Sequence, residues 1–392
     1  MKQNNLLIFI LLMFPPNLTA DFGEEKTPLP ESRGMSTWFA SFDTKEKADQ
    51  VLADYERAGM NTFYAMVWWY RAFYPTDEFP SDPDLDPDFD PITYLIKECH
   101  KRGWDFYAWF VNGRVHPELT PDYDRYDDWR IVNADGERQE QRLDYNIPEV
   151  RERERDIMLD FLERYPQVDG FQFDYIRFPW QGGYSYTDRT RELYKKEKGY
   201  DPFDLVHKSD DLDPDDLEQK RNEWHQWQRD NVRKLLEKVY TGTKEINPEI
   251  LVGSAVMGRK DWAERAEQTW WEWVNDGLFE FVKTMYYEND PDRYTELSDT
   301  WRRLIETDNH HRISYPVGGS TRWHDGDYSV VSDCVELARK GGARMIFFFR
   351  YGSMDEELLD HLGEGVFSER VPPYKPEPGT DACLKVTRPA EK

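Results

Sequence analysis

The chain has 392 residues, enough for two domains or for a single α/β barrel of about 250 residues or more. Its 77 acidic residues outnumber 51 Lys and Arg, and the net charge of −26 argues against nucleic acid or an anionic membrane surface as the main partner. The 15 Trp, 23 Tyr and 22 Phe exclude a disordered chain. This aromatic content suits carbohydrate binding, in which sugar faces stack on rings, or simply an aromatic-rich core.

The first twenty residues have the pattern of a secretory signal. Lys2 precedes nine apolar residues, Leu6 to Phe14, and a small residue, Ala20, ends the segment. Nine apolar residues are too few to span a bilayer, which needs about 20. We therefore predict a signal peptide over residues 1–20, a secreted or periplasmic mature protein and no membrane insertion. A buried N-terminal helix is the alternative.

The three cysteines, Cys99, Cys334 and Cys383, are too few and too scattered for a disulfide framework or a zinc site. A bond between Cys334 and Cys383 stays open. We predict no cofactor and no metal. The aspartate-rich run 82–90 invites a calcium interpretation, but its alternating prolines spoil the loop that calcium needs, and a solvated acidic loop is the preferred interpretation.

Eight short apolar runs separated by helical patterns dominate the chain. They are continuous rather than alternating, which is typical of parallel strands buried on both faces. The predicted strands are Met35–Phe42, Thr62–Trp68, Trp104–Phe110, Gly170–Tyr175, Ile250–Val256, Phe279–Tyr286, Arg312–Val317 and Arg344–Phe349.

Strand, helix and glycine repeated in this way predict an α/β fold, a (β/α)8 TIM barrel. A doubly wound sheet is the competitor, but no Gly-rich phosphate loop follows the first run. We expect a linker over 21–32, the barrel over 33–366, an insertion after strand 4 within 176–249, and an extended C-terminal tail over 367–392.

Polar and aromatic residues follow most of the predicted strands, at the end where barrels hold their active sites. Carboxylates, arginines and rings together suit glycoside hydrolysis, which uses two carboxylates across the scissile bond. The candidates at these strand ends are Asp43, Trp68, Arg71, Asn112, Asp174, Arg177, Tyr287, Glu288 and Trp323.

The sharpest local feature is the segment from Val168 to Pro179. Strand alternation puts Gln172 and Asp174 on one face, so Asp174 points toward the barrel mouth. Arg177 could hold this carboxylate ionised. The alternative is a structural Asp–Arg pair that braces the strand end.

This segment resembles the "DG-hydrophobic-x-x-D-Y-x-R-[YF]-P" signature of the family-10-like glycoside hydrolases of the YngK and DigH type. Further resemblances occur in family order along residues 33–350. They are Arg33-Gly34, Gly59-Met60-Asn61-Thr62, Phe89-Asp90-Pro91, Glu98 to Gly103, Tyr107 to Phe110 with Asn112, Asp144 to Arg151, and Met285-Tyr286-Tyr287.

The resemblance implies a barrel that acts on glycans at the cell envelope or outside the cell, and its clearest acid corresponds to Asp174. Some members carry a second acid directly after this Asp, where this chain has Tyr175. The family's Pro before the strand-six Met is Thr284 here. The second catalytic carboxylate therefore has to come from another strand end.

We predict Asp174 as nucleophile, or as base in an inverting reaction. Glu288 is the first choice for the general acid/base, on the expectation that strand six faces strand four across the mouth. Asp290, Asp43 and Asp144 are the alternatives for this role. The alternative interpretation of Glu288 itself is an exposed loop residue without a catalytic role. Substrate-binding roles are predicted for Asp43, Trp68, Arg71, Asn112, Asp144, Arg177, Tyr287 and Trp323; Trp109 is a sugar platform or a filler of the barrel interior.

Three hypotheses follow for function. The first is a secreted hydrolase that cleaves glycosidic bonds in a poly- or oligosaccharide. The second is a catalytically inactive barrel that binds carbohydrate. The third is another barrel chemistry, such as phosphate-ester or aldol reactions, for which Lys283 is the lysine near a strand end. The sequence leaves sugar, linkage, stereochemistry and oligomeric state open.

Overall fold

The computed structural model describes residues 29–288, 290–320 and 324–377. Eight parallel strands follow one another around a barrel, which is closed because the first strand pairs with both the second and the last. The strands are β1 (Ser32–Thr37), β2 (Thr62–Trp69), β3 (Asp105–Val111), β4 (Gly170–Asp174), β5 (Leu251–Met257), β6 (Phe281–Met285), β7 (Ile313–Val317) and β8 (Met345–Phe349). The predicted TIM barrel is confirmed.

Helices cover the outside of the barrel. α2 shows why they begin where they do: the Asp90 side chain accepts hydrogen bonds from the first-turn N–H groups of Ile92 and Thr93, and Pro91 needs no such partner. The helices are α1 (Lys45–Arg57), α2 (Pro91–Lys101), α3 (Pro148–Arg164), α4 (Asp188–Lys198), α5 (Asp204–His207), α6 (Pro214–Ile246), α7 (Lys260–Arg265), α8 (Trp270–Asn275), α9 (Pro291–Leu304), α10 (Ser329–Lys340) and α11 (Glu356–Glu364).

Large side chains from alternate strand positions fill the barrel interior in layers. A lower cluster combines Tyr64, Tyr107, Leu251, Phe281 and Met345. Gly253 makes room for the Phe281 ring, because a Cβ at this glycine would lie 2.4 Å from the ring. The interior is therefore a packed core, and ligands can approach only from its ends.

The first strand is the largest boundary error of the sequence prediction. β1 covers Ser32–Thr37, and a 3-10 turn at Phe39–Ser41 replaces the expected end of the strand at Phe42. Two of its residues, Gly34 and Ser36, are small, since Tyr64 and Lys283 come close to them. The apolar run therefore starts inside the strand and continues past its end.

Residues 175–250 connect β4 to β5 and contain α4, α5 and α6. The 33-residue α6 packs on α3, while its first half contributes Trp224 and Trp227 to a separate aromatic cluster with Tyr194. This connection gives the chain a second, smaller core beside the barrel.

The described end of the chain runs along the amino-terminal end of the barrel. The carbonyl of Pro372 accepts from the Glu31 N–H at 3.0 Å, and that of Val371 accepts from Asn61 Nδ2 at 2.9 Å. Lys375 bridges Asp105 and Asp169, at 3.2 and 2.6 Å. The segment predicted as a signal peptide and Cys383 lie outside the described residues. In the described part of the chain, no helix combines the length and apolar content needed to cross a bilayer.

Candidate active site

A cavity of about 190 Å³ opens at the carboxyl ends of the barrel strands. Most of its lining is aromatic, and Asp174 is the only carboxylate among the described lining residues. The lining comprises Trp38 after β1, Met66 and Trp69 of β2, Trp109 and Val111 of β3, Asp174, Tyr175 and Arg177 at the end of β4, Met285 and Tyr287 at β6, and Phe349 of β8.

Asp174, the last residue of β4, is surrounded by hydrogen-bond donors. Trp109 Nε1 donates to Oδ2 at 3.2 Å, the Tyr175 backbone N–H donates to Oδ1 at 2.7 Å, and Arg177 Nη1 lies 3.4 Å from Oδ1. An ionised carboxylate only accepts hydrogen bonds, so this set of donors suits the charged form. A carboxylate held in this way can attack an electrophilic carbon or take a proton.

Two indoles in the cavity have free N–H groups. Nε1 of Trp38 and Nε1 of Trp69 are buried and have no hydrogen-bond partner among the described residues. Their ring centroids are 6.0 Å apart, with 54° between the planes. Because a buried donor without an acceptor is costly, each N–H group would be stabilised by a ligand oxygen atom that reaches it.

Trp69, and not the predicted Trp68, is the tryptophan of β2 that lines the cavity. Met66 of β2 pairs with Trp109, but Trp68 pairs with Phe110, so Val67 is an extra residue that forms a bulge. The bulge reverses the alternation: Trp68 is fully buried in the outer core, and Trp69 lines the cavity. The expectation that Trp68 lies at the mouth is thus corrected.

Three other predicted binding residues pack into the scaffold instead of the cavity. Arg71 forms an ion pair with Asp82 at 2.6 Å. Asn112 is fully buried and donates to Glu154 Oε2 at 3.2 Å.

Asp144 is also fully buried. It accepts hydrogen bonds from Ser185 at 3.2 Å and Thr190 at 2.8 Å, and burial raises its pKa. Arg71 and Asn112 follow predicted strands, and Asp144 belongs to a segment that resembles the family, but none of the three lines the cavity.

The predicted acids Asp43 and Glu288 lie outside the cavity lining. Asp43 forms an ion pair with Lys47 of α1 at 2.7 Å. Glu288 Oε1 accepts from the Asp290 N–H at 3.1 Å, and Oε2 lies 3.5 Å from Arg293.

Strand order corrects the argument behind Glu288. β5 lies between β4 and β6, so β6 does not face β4 across the mouth, and β8 does. Tyr287 does line the cavity, with its ring centroid 5.9 Å from that of Phe349. Trp323 lies outside the described residues.

Lys283 of β6 points into the barrel interior and is 1% exposed. Its Nζ donates to Ser36 Oγ at 3.1 Å and lies 3.6 Å from the Tyr64 ring centroid. Burial lowers its pKa well below the usual value. It does not line the cavity, so the structure gives no support to a covalent role for this lysine.

Sequence reasoning missed Trp38, Met66 and Phe349, which line the cavity from β1, β2 and β8. Their apolar character marked them only as strand residues. Within the described ranges, no three or more His, Cys, Asp or Glu side chains are grouped to hold a metal ion. Asp82 of the aspartate-rich run is engaged by Arg71.

A closed parallel barrel with an aromatic, carboxylate-bearing cavity at its carboxyl end has the architecture of the TIM-barrel glycosidases. The β-galactosidase of Rahnella sp. R3 has this fold, with a TM-score of 0.61 at 14% identity over 88% of this chain and 56% of that one. The chain belongs to the glycosyl hydrolase-like 10 family, whose model matches residues 33–313. The resemblance seen in the sequence is thereby confirmed.

Two curated relatives are similar to this chain in sequence. Glycosyl hydrolase DigH of Escherichia coli O6:H1 is 26% identical over 293 residues, 64% of this chain and 60% of DigH. Glycosyl hydrolase YngK of Bacillus subtilis strain 168 is 26% identical over 250 residues, 58% of this chain and 42% of YngK. The chain thus matches less than two thirds of the length of either relative.

Proposed function

We propose that the protein hydrolyses glycosidic bonds in a cell-envelope or extracellular polysaccharide, with Asp174 as the reacting carboxylate. The observation that carries this proposal is the position of Asp174: it ends β4 in an aromatic cavity at the barrel mouth, among donors that suit its charged form. Membership of a glycosyl hydrolase-like family supports the reaction class.

Asp174 is proposed as the nucleophile or, in an inverting reaction, as the base that activates water. The general acid needs a protonated side chain on the other side of the bond, about 5–5.5 Å away for retention or about 6.5–9.5 Å for inversion. Glu288 stays the proposed partner because it follows Tyr287, whose ring lines the cavity. To act, it has to leave Arg293 and turn toward the cavity. Asp144 is a poorer choice, since it is fully buried.

The aromatic lining supports a sugar as the ligand. Rings of Trp38, Trp69 and Tyr287 can stack on the C–H faces of a pyranose, and the two free indole N–H groups can donate to its hydroxyl oxygens. This combination of an apolar surface with a few fixed donors is typical of small-molecule sites.

Aromatic residues continue beyond the cavity along the rim. Trp180 in the connection after β4 is 42% exposed, and its ring centroid lies 5.3 Å from that of Trp262 in α7. Trp262 in turn lies 6.2 Å from Tyr286 at the end of β6. A row of this kind favours a chain of several sugars over a monosaccharide.

The test is a screen of the purified protein on cell-envelope glycan strands and on anionic and neutral polysaccharides, with release of reducing ends as the readout. Asp174→Asn is expected to lower the rate about 10³-fold without changing the circular dichroism spectrum. Asp230→Asn, on the exposed side of α6, is the matched control. Full activity of Asp174→Asn on a substrate that the wild type cleaves would refute the assignment. Glu288→Gln tests the second carboxylate separately.

A second candidate function is carbohydrate binding without hydrolysis. The observation that favours it is that Asp174 is the only carboxylate among the described residues of the cavity lining. It predicts that Asp174→Asn keeps its affinity for the glycan and that the wild type releases no reducing ends. Calorimetric titration beside the rate assay separates the two functions.

A further inference from the structure

Three arginines surround the ring of Tyr175, the residue after Asp174. The guanidinium carbons of Arg114, Arg142 and Arg177 lie 5.1, 5.3 and 4.4 Å from the centroid of this ring. Tyr175 and Arg177 also line the cavity. The arginines therefore form a compact positive cluster, here called the arginine cluster, beside the proposed reacting carboxylate.

The backbone builds this cluster from distant parts of the chain. Arg114 and Arg142 are paired in an antiparallel bridge, and directly opposite residues in such a pair project to the same face. Arg142 Nη2 then donates to the carbonyl of Arg177 at 3.0 Å, which ties the pair to the turn after β4. Tyr175 has a φ of +63°, which is uncommon for a residue with a side chain. The ring is thus fixed by the fold.

The positive charges are not balanced by nearby carboxylates. Among the described residues, neither Arg114 nor Arg142 has an ion pair, and Arg177 meets only Asp174, at 3.4 Å. Arg114 contacts the neutral oxygen atoms of Tyr70 and Gln141, at 3.4 and 3.3 Å. Its Nε is buried and has no hydrogen-bond partner in the described part of the chain. In a chain of net charge −26, three adjacent guanidinium groups with one long carboxylate contact are unusual.

The cluster is electrostatically unfavourable without a ligand. Burial and the neighbouring charges of Arg177 and Arg114 lower the pKa of Arg142 to about 10. Like charges in a partly desolvated site are costly unless an anion compensates them. Guanidinium groups offer planar pairs of N–H donors that match the oxygen atoms of a carboxylate or a sulfate.

We propose that Arg114, Arg142 and Arg177 form a subsite for an anionic substituent of the glycan, a carboxylate or a sulfate ester, on the sugar next to the bond that Asp174 attacks. The inference rests on the proposed function, because it names the class of sugar that the same cavity takes. The subsite selects a singly charged group, since Asp174 lies at its edge and repels more highly charged ones.

Ligand-dependent thermal unfolding at constant ionic strength tests the subsite. The probes are D-glucuronate, D-glucose 6-sulfate and neutral D-glucose. We expect at least one anionic sugar to raise the melting temperature of the wild type saturably, and glucose at equal concentration to have a smaller effect. The stronger of the two anions identifies the substituent. If neither anion has more effect than glucose, the proposal is wrong.

Arg142→Gln and Arg114→Gln are each expected to weaken binding of the anionic sugar about 10-fold or more, by loss of a charge-assisted contact. Without ligand, both variants should melt no lower than the wild type, because like-charge repulsion is reduced. Arg142→Lys keeps the positive charge but lacks the planar pair of N–H donors. This variant should therefore bind the anionic sugar with intermediate affinity. Arg125→Gln is the matched control, since Arg125 is exposed and lies 5.2 Å from the Tyr126 ring. Unchanged anion affinity in both glutamine variants would overturn the subsite.

The outcome can be separated from that of the proposed hydrolysis. Preference for the anionic sugar that persists in Asp174→Asn supports the subsite even if no glycan is cleaved. Cleavage of a neutral glycan at a rate unaffected by Arg142→Gln, without preference for an anionic one, rejects the subsite while the hydrolase proposal survives.

Discussion

Trp109 Nε1 donates a hydrogen bond to Asp174 Oδ2 at 3.2 Å, from the strand that pairs directly with β4. The indole thus fixes the orientation of the carboxylate, while its ring belongs to the upper interior cluster with Met66 and Val111. The Trp109 side chain therefore both packs in the barrel interior and orients the proposed reacting carboxylate.

Replacing Trp109 by Phe keeps an aromatic ring and removes the donor. We expect kcat to fall about 10-fold or more with a smaller change in KM, because a hydrogen bond to a charged group is lost. Steady-state kinetics on the substrate found in the screen measures this effect. Trp271→Phe, a partly buried indole outside the cavity, is the control. Unchanged kcat would mean that the indole has only a packing role.

Lys283→Met is expected to stabilise the protein by about 1–3 kcal/mol at neutral pH, because it removes a buried amine that must either be held charged in the core or lose its proton on folding. Contacts with the rings of Tyr64 and Phe347, at 3.6 and 4.5 Å, offset part of the burial cost. The pKa of Lys283 is lowered in the folded state, so the unfolded state binds more protons between the folded and the unfolded pKa values, and the cost shrinks as the pH rises toward 10.

The gain from Lys283→Met should therefore be larger at pH 7 than at pH 10. Urea unfolding at both pH values measures it. A gain of equal size at both would contradict the assignment of the effect to the ammonium charge, and a loss of stability would show that the contact with Ser36 dominates.

The contact of Lys375 with Asp105 and Asp169 predicts a pH-dependent effect at the other end of the barrel. Burial and the charge of Asp169 raise the pKa of Asp105 to about 7, and Lys375 opposes this increase. Because Asp105 then binds more protons in the folded than in the unfolded state between about pH 4 and 7, its contribution to stability falls as the pH rises through this range.

Lys375→Met removes the opposing charge, so its melting temperature should drop by a few degrees at pH 8 and less at pH 5. Scanning calorimetry at the two pH values measures the difference. Lys340→Met, at the end of α10, is the control. Equal losses at both pH values would indicate that Lys375 acts through packing alone.

Trp180→Ala is expected to reduce affinity for long glycans about 5- to 10-fold, since it removes the exposed ring of the rim. A short oligosaccharide that occupies only the cavity should bind as it does to the wild type. Binding measured over a series of chain lengths separates the two cases. A uniform loss at all lengths would place the effect in the cavity.

Much of the fold could be predicted because strands buried on both faces give continuous apolar runs. The prediction fails where a strand lacks this composition, as at Gly34 and Ser36 of β1. Asp174 was found because alternation along β4 is regular from Gln172 onward.

The rest of the site depends on contacts that no local pattern shows. Asn112 follows β3 and Asp144 follows the short strand Arg138–Leu143 outside the barrel. Both are fully buried, because Glu154, Ser185 and Thr190 offer them hydrogen-bond partners. The arginine cluster needs a bridge between residues 114 and 142, which belong to a loop and to a short strand outside the barrel. Of the three arginines, only Arg177 could be predicted from the local sequence, because of its spacing from Asp174.

The extra residue Val67 in β2 decides which of two adjacent indoles a ligand meets. Trp68 and Trp69 stand on opposite sides of the strand, and the bulge places Trp69 in the cavity. Loss of the bulge at unchanged length would restore strict alternation and exchange the two rings, whereas deletion of Val67 would keep both in place, because Trp68 would still pair with Phe110. Substitutions that straighten this strand are thus a route by which a lineage can reshape its binding cleft without altering either tryptophan.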